Sequence, residues 1–200
     1  MMQWIYDQSN GCKLRFYHYY LERTIMSLQY ASGNIVLPIF DENSRILILG
    51  SFPDVKARDV IGFCYSNPRN RFWDVMTSVF GESFPKPDIN HPENKDILIA
   101  KLRKHHIALW NVICECKING ALDNTIRNAK PNDINIILQV SKIEKIFTNG
   151  SLATTKYNTL LKPITGIEAT RLPSTSPRNT KYTLNKLVDA WKIIGKIQEP

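Results

Sequence analysis

The sequence predicts an α/β fold in which a parallel sheet is covered by helices on both faces. Three observations carry this. From Ile46 onward, strand-like and helix-like segments alternate, the pattern of parallel strands joined by helical crossovers. The first strand-like segment, Ile46-Leu47-Ile48-Leu49, is a continuous apolar run, as expected of a strand buried on both faces. Each strand runs out into small or polar residues: Gly50-Ser51, Asn111, Asn149-Gly150 and Ser174-Thr175-Ser176. In an open parallel sheet such exits lie together at the carboxyl edge, where ligands bind.

Taken in order, residues 1 to about 33 differ from the rest and read as an N-terminal extension ahead of a single domain at 34–200. The stretch 15–28 is aromatic and basic with weak helical periodicity. It reads either as a short added helix or as sequence upstream of a start at Met26. A buried strand is expected over 45–49. Phe72, Trp73, Met76, Val79 and Phe80 recur at helical spacing, so a helix is expected over 70–80. A Pro-rich loop follows (Pro85, Pro87, Pro92). A second helix is expected over 97–104 and a second strand over 107–112. A helix over 132–140 has Asp133 placed for its first turn. A third strand over 143–148 ends at Asn149-Gly150, followed by a helix over 151–160. A fourth strand is expected over 168–172. The last helix carries Leu184, Leu187, Val188, Trp191 and Ile194 as one apolar stripe, with Asn179 as its cap.

A chain of 200 residues is most simply one domain with a sizeable core. Its 43% hydrophobic and 22% charged residues are ordinary for a globular protein. Lys and Arg number 26 against 18 Asp and Glu, a net charge of +8. That surplus favours a polyanionic partner such as nucleic acid, though solubility alone also accounts for it. Cys12, Cys64, Cys114 and Cys116 match no paired zinc spacing and lack the spacing of iron–sulfur ligands. They are expected to be reduced and mostly buried, in a reducing compartment. No stretch is long and apolar enough to cross a membrane, and the N-terminus has no apolar signal core. A cytoplasmic location, no membrane association and a monomeric state are expected.

The first strand exit, Gly50-Ser51-Phe52-Pro53, is neither a phosphate-cradling P-loop nor a dinucleotide fingerprint, and it lacks the hydrolase elbow pattern. Asn67-Pro68-Arg69-Asn70-Arg71 opens a helix. Asn70 reads as a helix cap, or as an amide that orients a water or a substrate oxygen. Arg69 and Arg71 suit phosphates, or are simply solvated. Phe63 and Tyr65 are core residues or a stacking platform for a base. Ser174 and Ser176 shape a turn, or bind a phosphate together with backbone N–H groups and Arg178. Trp110, Trp191, His105 and His106 read as core or surface.

The stretch GSFPDVKARDVIGFCYSNPRNRFWDVM resembles the first motif region of the uracil-DNA glycosylase superfamily. Its NRFW is shared in kind with the mismatch-specific uracil/thymine glycosylases. The Gly-Ser-Phe-Pro start, ALDNTIRNAKPND and LPSTSPRN resemble the deoxyinosine (hypoxanthine)-DNA glycosylase branch, family 6. The resemblance runs from about residue 35 to 194. It implies a three-layer α/β/α sandwich with a central four-stranded parallel sheet. It also implies a monofunctional glycosylase that releases a deaminated base from DNA in base excision repair, without metal or cofactor.

Carried over residue by residue, the resemblance implies a catalytic role for Asn70, the Asn of NRFW; Asp54, a departure from the branch pattern, adds a carboxylate expected to orient water or else to cap the next turn. It implies a base pocket of Ser51, Phe52, Phe63, Tyr65 and Asn111. Phe52 stands where the mismatch-specific branch has its catalytic Asn. DNA would be held by Arg69, Arg71, Ser174, Thr175, Ser176 and Arg178. Asp54 stands where the branch has Ser, Ser66-Asn67 replaces Gly-His, and Asn111 stands where Asp is common. These departures leave base preference open among hypoxanthine, uracil and xanthine. They also leave open a catalytically weak nucleic-acid-binding relative.

Overall fold

The computed structural model describes residues 31–32, 36–55, 57–118 and 125–196. In chain order its elements are β1 (Ala31–Ser32), β2 (Ile46–Gly50), a π-helical turn (Ala57–Ile61), α1 (Phe72–Phe80) and α2 (Glu93–Lys104). These are followed by β3 (Ile107–Asn111), β4 (Ile113–Lys117), β5 (Arg127–Pro131), α3 (Asn135–Leu138) and β6 (Lys145–Asn149). The chain closes with α4 (Ser151–Leu160), α5 (Lys162–Thr165), β7 (Ala169–Leu172), α6 (Leu184–Trp191) and α7 (Ile193–Lys196). Of the extension expected at 1–33, only residues 31–32 are described, and the ALDN part of the second motif lies outside the described residues.

The central sheet has four parallel strands in the order β3-β2-β6-β7. Strand β2 is buried along its whole length. Successive side chains on a strand point to opposite faces, and the core divides accordingly. Ile46 and Ile48 join a cluster with Phe72, Trp73, Leu98, Leu102, Leu187 and Trp191, which brings α1, α2 and α6 onto one face. Leu47 and Leu49 join Ile113, Ile137, Tyr157 and Leu161 on the other. The result is the expected three-layer α/β/α sandwich.

The chain moves outward from β2 to β3 and then returns to the other side of β2 for β6. The strand order therefore reverses around β2, and a reversal of this kind opens a crevice at the carboxyl ends of the strands.

A second sheet, antiparallel and in the order β1-β4-β5, is not anticipated by the sequence. Its strand β5 reads Arg-Asn-Ala-Lys-Pro and is mostly exposed, a composition with little β preference. The helix expected over 132–140 shrinks to Asn135–Leu138. Asn132 is held in extended packing instead, its N–H donating to the Val112 carbonyl (2.8 Å) and its Nδ2 to the Asn111 carbonyl (2.9 Å). Helix α2 starts a turn earlier than expected, with Glu93 and Asp96 in its first turn, where acidic groups suit the helix dipole. Thr183, rather than Asn179, caps α6. Cys64 is a buried free thiol, and Cys116 is buried. Cys114 is in a disulfide, which corrects the expectation of a reduced thiol there.

Candidate active site

The exits of the four parallel strands line one cleft of about 500 Å³, within the ~300–1,000 Å³ range of small-molecule sites. Gly50, Ser51 and Phe52 leave β2, Asn111 ends β3, Asn149 ends β6, and Ser174 to Ser176 follow β7. Asn70 and the serine loop lie on the same cleft. They meet there although more than a hundred residues separate them, because Arg71 links the two. Its N–H donates to the Thr175 carbonyl (3.1 Å). Its guanidinium donates to the carbonyls of Ser176 (2.8 Å), Asn179 (3.0 Å) and Tyr182.

The segment that carries Asn70 is fixed from several sides. Asn67 accepts from the N–H of Arg69 through its side chain and from that of Asn70 through its carbonyl. Lys86 Nζ donates to the Pro68 carbonyl (3.0 Å) and pairs with Asp74 (2.8 Å). Asn70 Oδ1 accepts from the N–H of Phe72 (3.0 Å), an Asx turn just ahead of α1, while the N-cap position belongs to Arg71, which makes no side-chain capping bond. Asn70 Nδ2 has no partner among the described residues and is left for the cleft. The helix-cap expectation for Asn70 is therefore corrected: its side chain shapes the turn before α1.

The serine loop is held by a buried polar network. Asn149 Oδ1 accepts from the Thr175 N–H (3.0 Å), while its Nδ2 donates to Thr175 Oγ1 (2.9 Å) and to the Tyr65 hydroxyl oxygen (3.1 Å). Asn179 Nδ2 closes the loop on the Ser174 carbonyl (2.8 Å). Trp191 Nε1 ties it to α6 through the Pro173 carbonyl (3.0 Å).

The cleft has one aromatic wall at Tyr65, whose ring stacks on Phe72 at 4.0 Å. Burial is the main force holding the Tyr65 hydroxyl well above the usual phenol range. Burial, with the Asp54 carboxylate adding to it, pushes the Cys64 thiol up to about 12. That thiol therefore stays protonated and donates to Asn111 Oδ1 (3.6 Å). The amide of Asn111 in turn sits where a side chain at Gly50 would reach: a Cβ there would lie 2.5 Å from Asn111 Nδ2. Asp54 Oδ1 accepts from the Ala57 N–H (3.2 Å), leaving its carboxylate on the cleft wall.

The structure thus brings Ser51, Phe52, Asp54, Tyr65, Arg69, Asn70, Asn111, Ser174, Ser176 and Arg178 to one cleft. Three expectations change. Phe63 is turned away from the cleft and packs in the core, its ring 6.0 Å from that of Trp73. Arg71 is committed to backbone carbonyls and joins two parts of the site instead of facing solvent. Thr175 is wholly buried, and its hydroxyl serves Asn149. Two cleft residues escape sequence reasoning as site residues. Asn149 was visible only as a polar strand exit. Arg58 has no sequence signal of its own.

The family model described as the uracil DNA glycosylase superfamily matches residues 37–195. A protein of Methanosarcina acetivorans named hypoxanthine DNA glycosylase is 31% identical over 149 residues, covering 74% of this chain and 89% of its own. One of the same name from Methanosarcina barkeri is 31% identical over 155 residues, covering 77% and 92%. A solution NMR structure from Methanosarcina acetivorans, carrying the provisional name uracil DNA glycosylase, superposes with a TM-score of 0.61. It is 27% identical and covers 80% of this chain and 96% of its own. With a family match over most of its length and two relatives above 30% identity, the chain belongs to the uracil DNA glycosylase superfamily.

Proposed function

We propose that this protein is a monofunctional DNA glycosylase that hydrolyses the N-glycosidic bond of deaminated bases, with hypoxanthine in deoxyinosine preferred. The observation that carries this reading is the convergence of Asn70, Asn111, Asn149 and the serine loop on one cleft with an aromatic wall, in a chain 31% identical to two proteins named for hypoxanthine release.

Arg69 and Arg178 are exposed at the cleft and would hold the backbone phosphates, with the hydroxyls of Ser174 and Ser176 beside them. Extrusion of the nucleotide costs a few kcal/mol, less for a mispaired base. The base would then rest against Tyr65, with Asn111 and Asn149 at its polar edge. As the bond breaks, the sugar becomes oxocarbenium-like and the base takes the electron pair. Asn70 would orient the water that attacks C1′, with the Asp54 carboxylate available to receive its proton. No lysine is among the described residues lining the cleft, which supports an abasic product with an intact strand. The protein would act as a monomer, in the cytoplasm, in base excision repair.

Uracil has a specific claim as the alternative base, because the solution structure at 27% identity bears the name of a uracil enzyme. Oligonucleotides carrying deoxyinosine, deoxyuridine or deoxyxanthosine, incubated with the enzyme and then cleaved with alkali, decide the matter. Faster release from the deoxyinosine strand is expected. Faster release from the deoxyuridine strand overturns the preference, and release from none overturns the activity.

A further inference from the structure

Arg58 is a cleft-lining cation that the glycosylase reading so far leaves without a role. It sits in the π-helical turn Ala57–Ile61, where the Gly62 N–H reaches back five residues to the Ala57 carbonyl (2.8 Å). Turns of this kind re-aim side chains and recur at functional sites. Here Arg58 is only 7% exposed and lines the cleft. Its guanidinium lies over the ring of Phe52, 4.9 Å from the ring centre. Among the described residues it makes no hydrogen bond and no ion pair. Asp54, four residues earlier on the same wall, accepts from the Ala57 N–H through Oδ1 and forms no ion pair with Arg58.

A buried charge without a counter-ion opposes folding. A cation–π contact with one ring offsets only part of that cost. Guanidinium N–H groups on the cleft wall, with no protein acceptor among the described residues, match an anionic occupant. The two arginines suited to DNA phosphates, Arg69 and Arg178, are exposed. Arg58 lies deeper, against Phe52, where an extruded base rather than its backbone would arrive.

We propose that Arg58 is a catalytic residue: its guanidinium binds the carbonyl-bearing edge of the extruded base and stabilises the negative charge that the base acquires. This deepens the glycosylase reading and rests on it. In the step concerned, the C1′–N bond breaks and its electron pair leaves with the base. Water forms the new C1′–O bond and gives up a proton, and the base anion takes up a proton after release. The negative charge spreads over the ring nitrogens and the carbonyl oxygen of the departing base. A guanidinium already in place on the cleft wall, packed on Phe52, stabilises that charge without reorganising.

The test is single-turnover release of hypoxanthine from a deoxyinosine duplex with enzyme in saturating excess. Wild type is compared with R58M, which keeps the packing on Phe52 and removes the charge, and with R58K, which keeps the charge. R58M is expected to release base about 100-fold more slowly, the scale of one lost charge-stabilising donor. R58K should recover about tenfold of that loss, and DNA affinity should stay within about threefold for both. R58M should also unfold at or above the wild-type temperature, because it removes an uncompensated buried charge.

An R58M rate within about threefold of wild type overturns the assignment. So does a defect confined to affinity with a salt slope shallower by about one, the mark of a phosphate contact. A lower unfolding temperature for R58M, with R58K no faster than R58M, shows a packing role and also overturns it. Should R58M not fold, R58Q takes its place under the same criteria. Wild-type enzyme that releases no hypoxanthine overturns the glycosylase reading together with this inference, whereas wild-type release with R58M undiminished overturns only the role of Arg58.

Discussion

Replacing Asn149 with alanine should loosen the serine loop and destabilise the protein by about 3 kcal/mol. The magnitude follows from three hydrogen bonds made by one buried amide: to the Thr175 N–H, to Thr175 Oγ1 and to the Tyr65 hydroxyl. Each is worth about 1 kcal/mol net, and a buried donor left without a partner costs about 1–3 kcal/mol. The Thr175 N–H is such a donor, since Thr175 is fully buried. With an m-value of about 2 kcal/mol/M, the urea midpoint should fall by about 1.5 M.

Thr175→Val keeps the shape and removes only the hydroxyl bond, so about 1 kcal/mol is expected. The double variant should cost about 1 kcal/mol less than the sum of the two, because the Nδ2–Oγ1 bond is lost only once. Equilibrium urea unfolding of the three variants measures all of this. A midpoint for N149A within about 0.2 M of wild type, or strict additivity in the cycle, would show that the amide does not hold the loop.

Three further outcomes are expected. Asn70→Ala should slow single-turnover base release by about 100-fold or more while leaving DNA affinity within about threefold; undiminished release refutes the role of Asn70. Gly150→Ala places a Cβ 2.7 Å from that of Ser174 at a φ of +94°, so a loss of about 2 kcal/mol in urea stability and slower release are expected; wild-type behaviour refutes the close approach. Glu82, hydrogen-bonded by Lys101, Lys104 and His105, is held at about 2, below its ordinary 4.5. Its folded pKa is depressed, so its contribution is present above pH 4.5 and lost as the pH falls towards 2. E82Q should flatten the loss of unfolding temperature across that window, and parallel curves for the two proteins refute the linkage.

The sheet was legible because its signal is local. Ile46 to Leu49 is an apolar run of strand length, and α1 repeats Phe72, Trp73 and Met76 at helical spacing. The cleft was legible for a related reason: polar residues at every strand exit must gather at one edge once the strands are parallel. The antiparallel sheet was not legible. β5 has neither alternation nor β-branched residues, and its pairing with β4 shifts register twice. Its backbone, not its side chains, places it. The shortened α3 has a similar cause. Asn132 is drawn off by the Asn111 and Val112 carbonyls, contacts that no local pattern encodes.

Within the site, each misplacement was a choice between two residues a step apart. Phe63 and Tyr65 are chemically alike, and only the backbone decides which faces the cleft. Tyr65 has a φ of +54°, which is uncommon for a bulky residue. Three bonds hold it there: its carbonyl accepts from Trp73 Nε1 (3.2 Å), Ser66 Oγ closes the turn onto the Phe63 carbonyl (2.6 Å), and Asn149 meets its hydroxyl. Arg69 and Arg71 divide in the same way. One is exposed on the cleft, and the other is consumed by carbonyls up to 111 residues away. That division explains why two ends of the chain can form one site. The N–H of Arg71 holds Thr175, Thr175 holds Asn149, and Asn149 holds Tyr65. Asn70 and the serine loop are therefore set by one continuous hydrogen-bonded chain running from the start of α1 through the loop after β7 and the end of β6 to the cleft's aromatic wall. Disruption at any link should be felt at Asn70 even where the substituted residue cannot touch DNA.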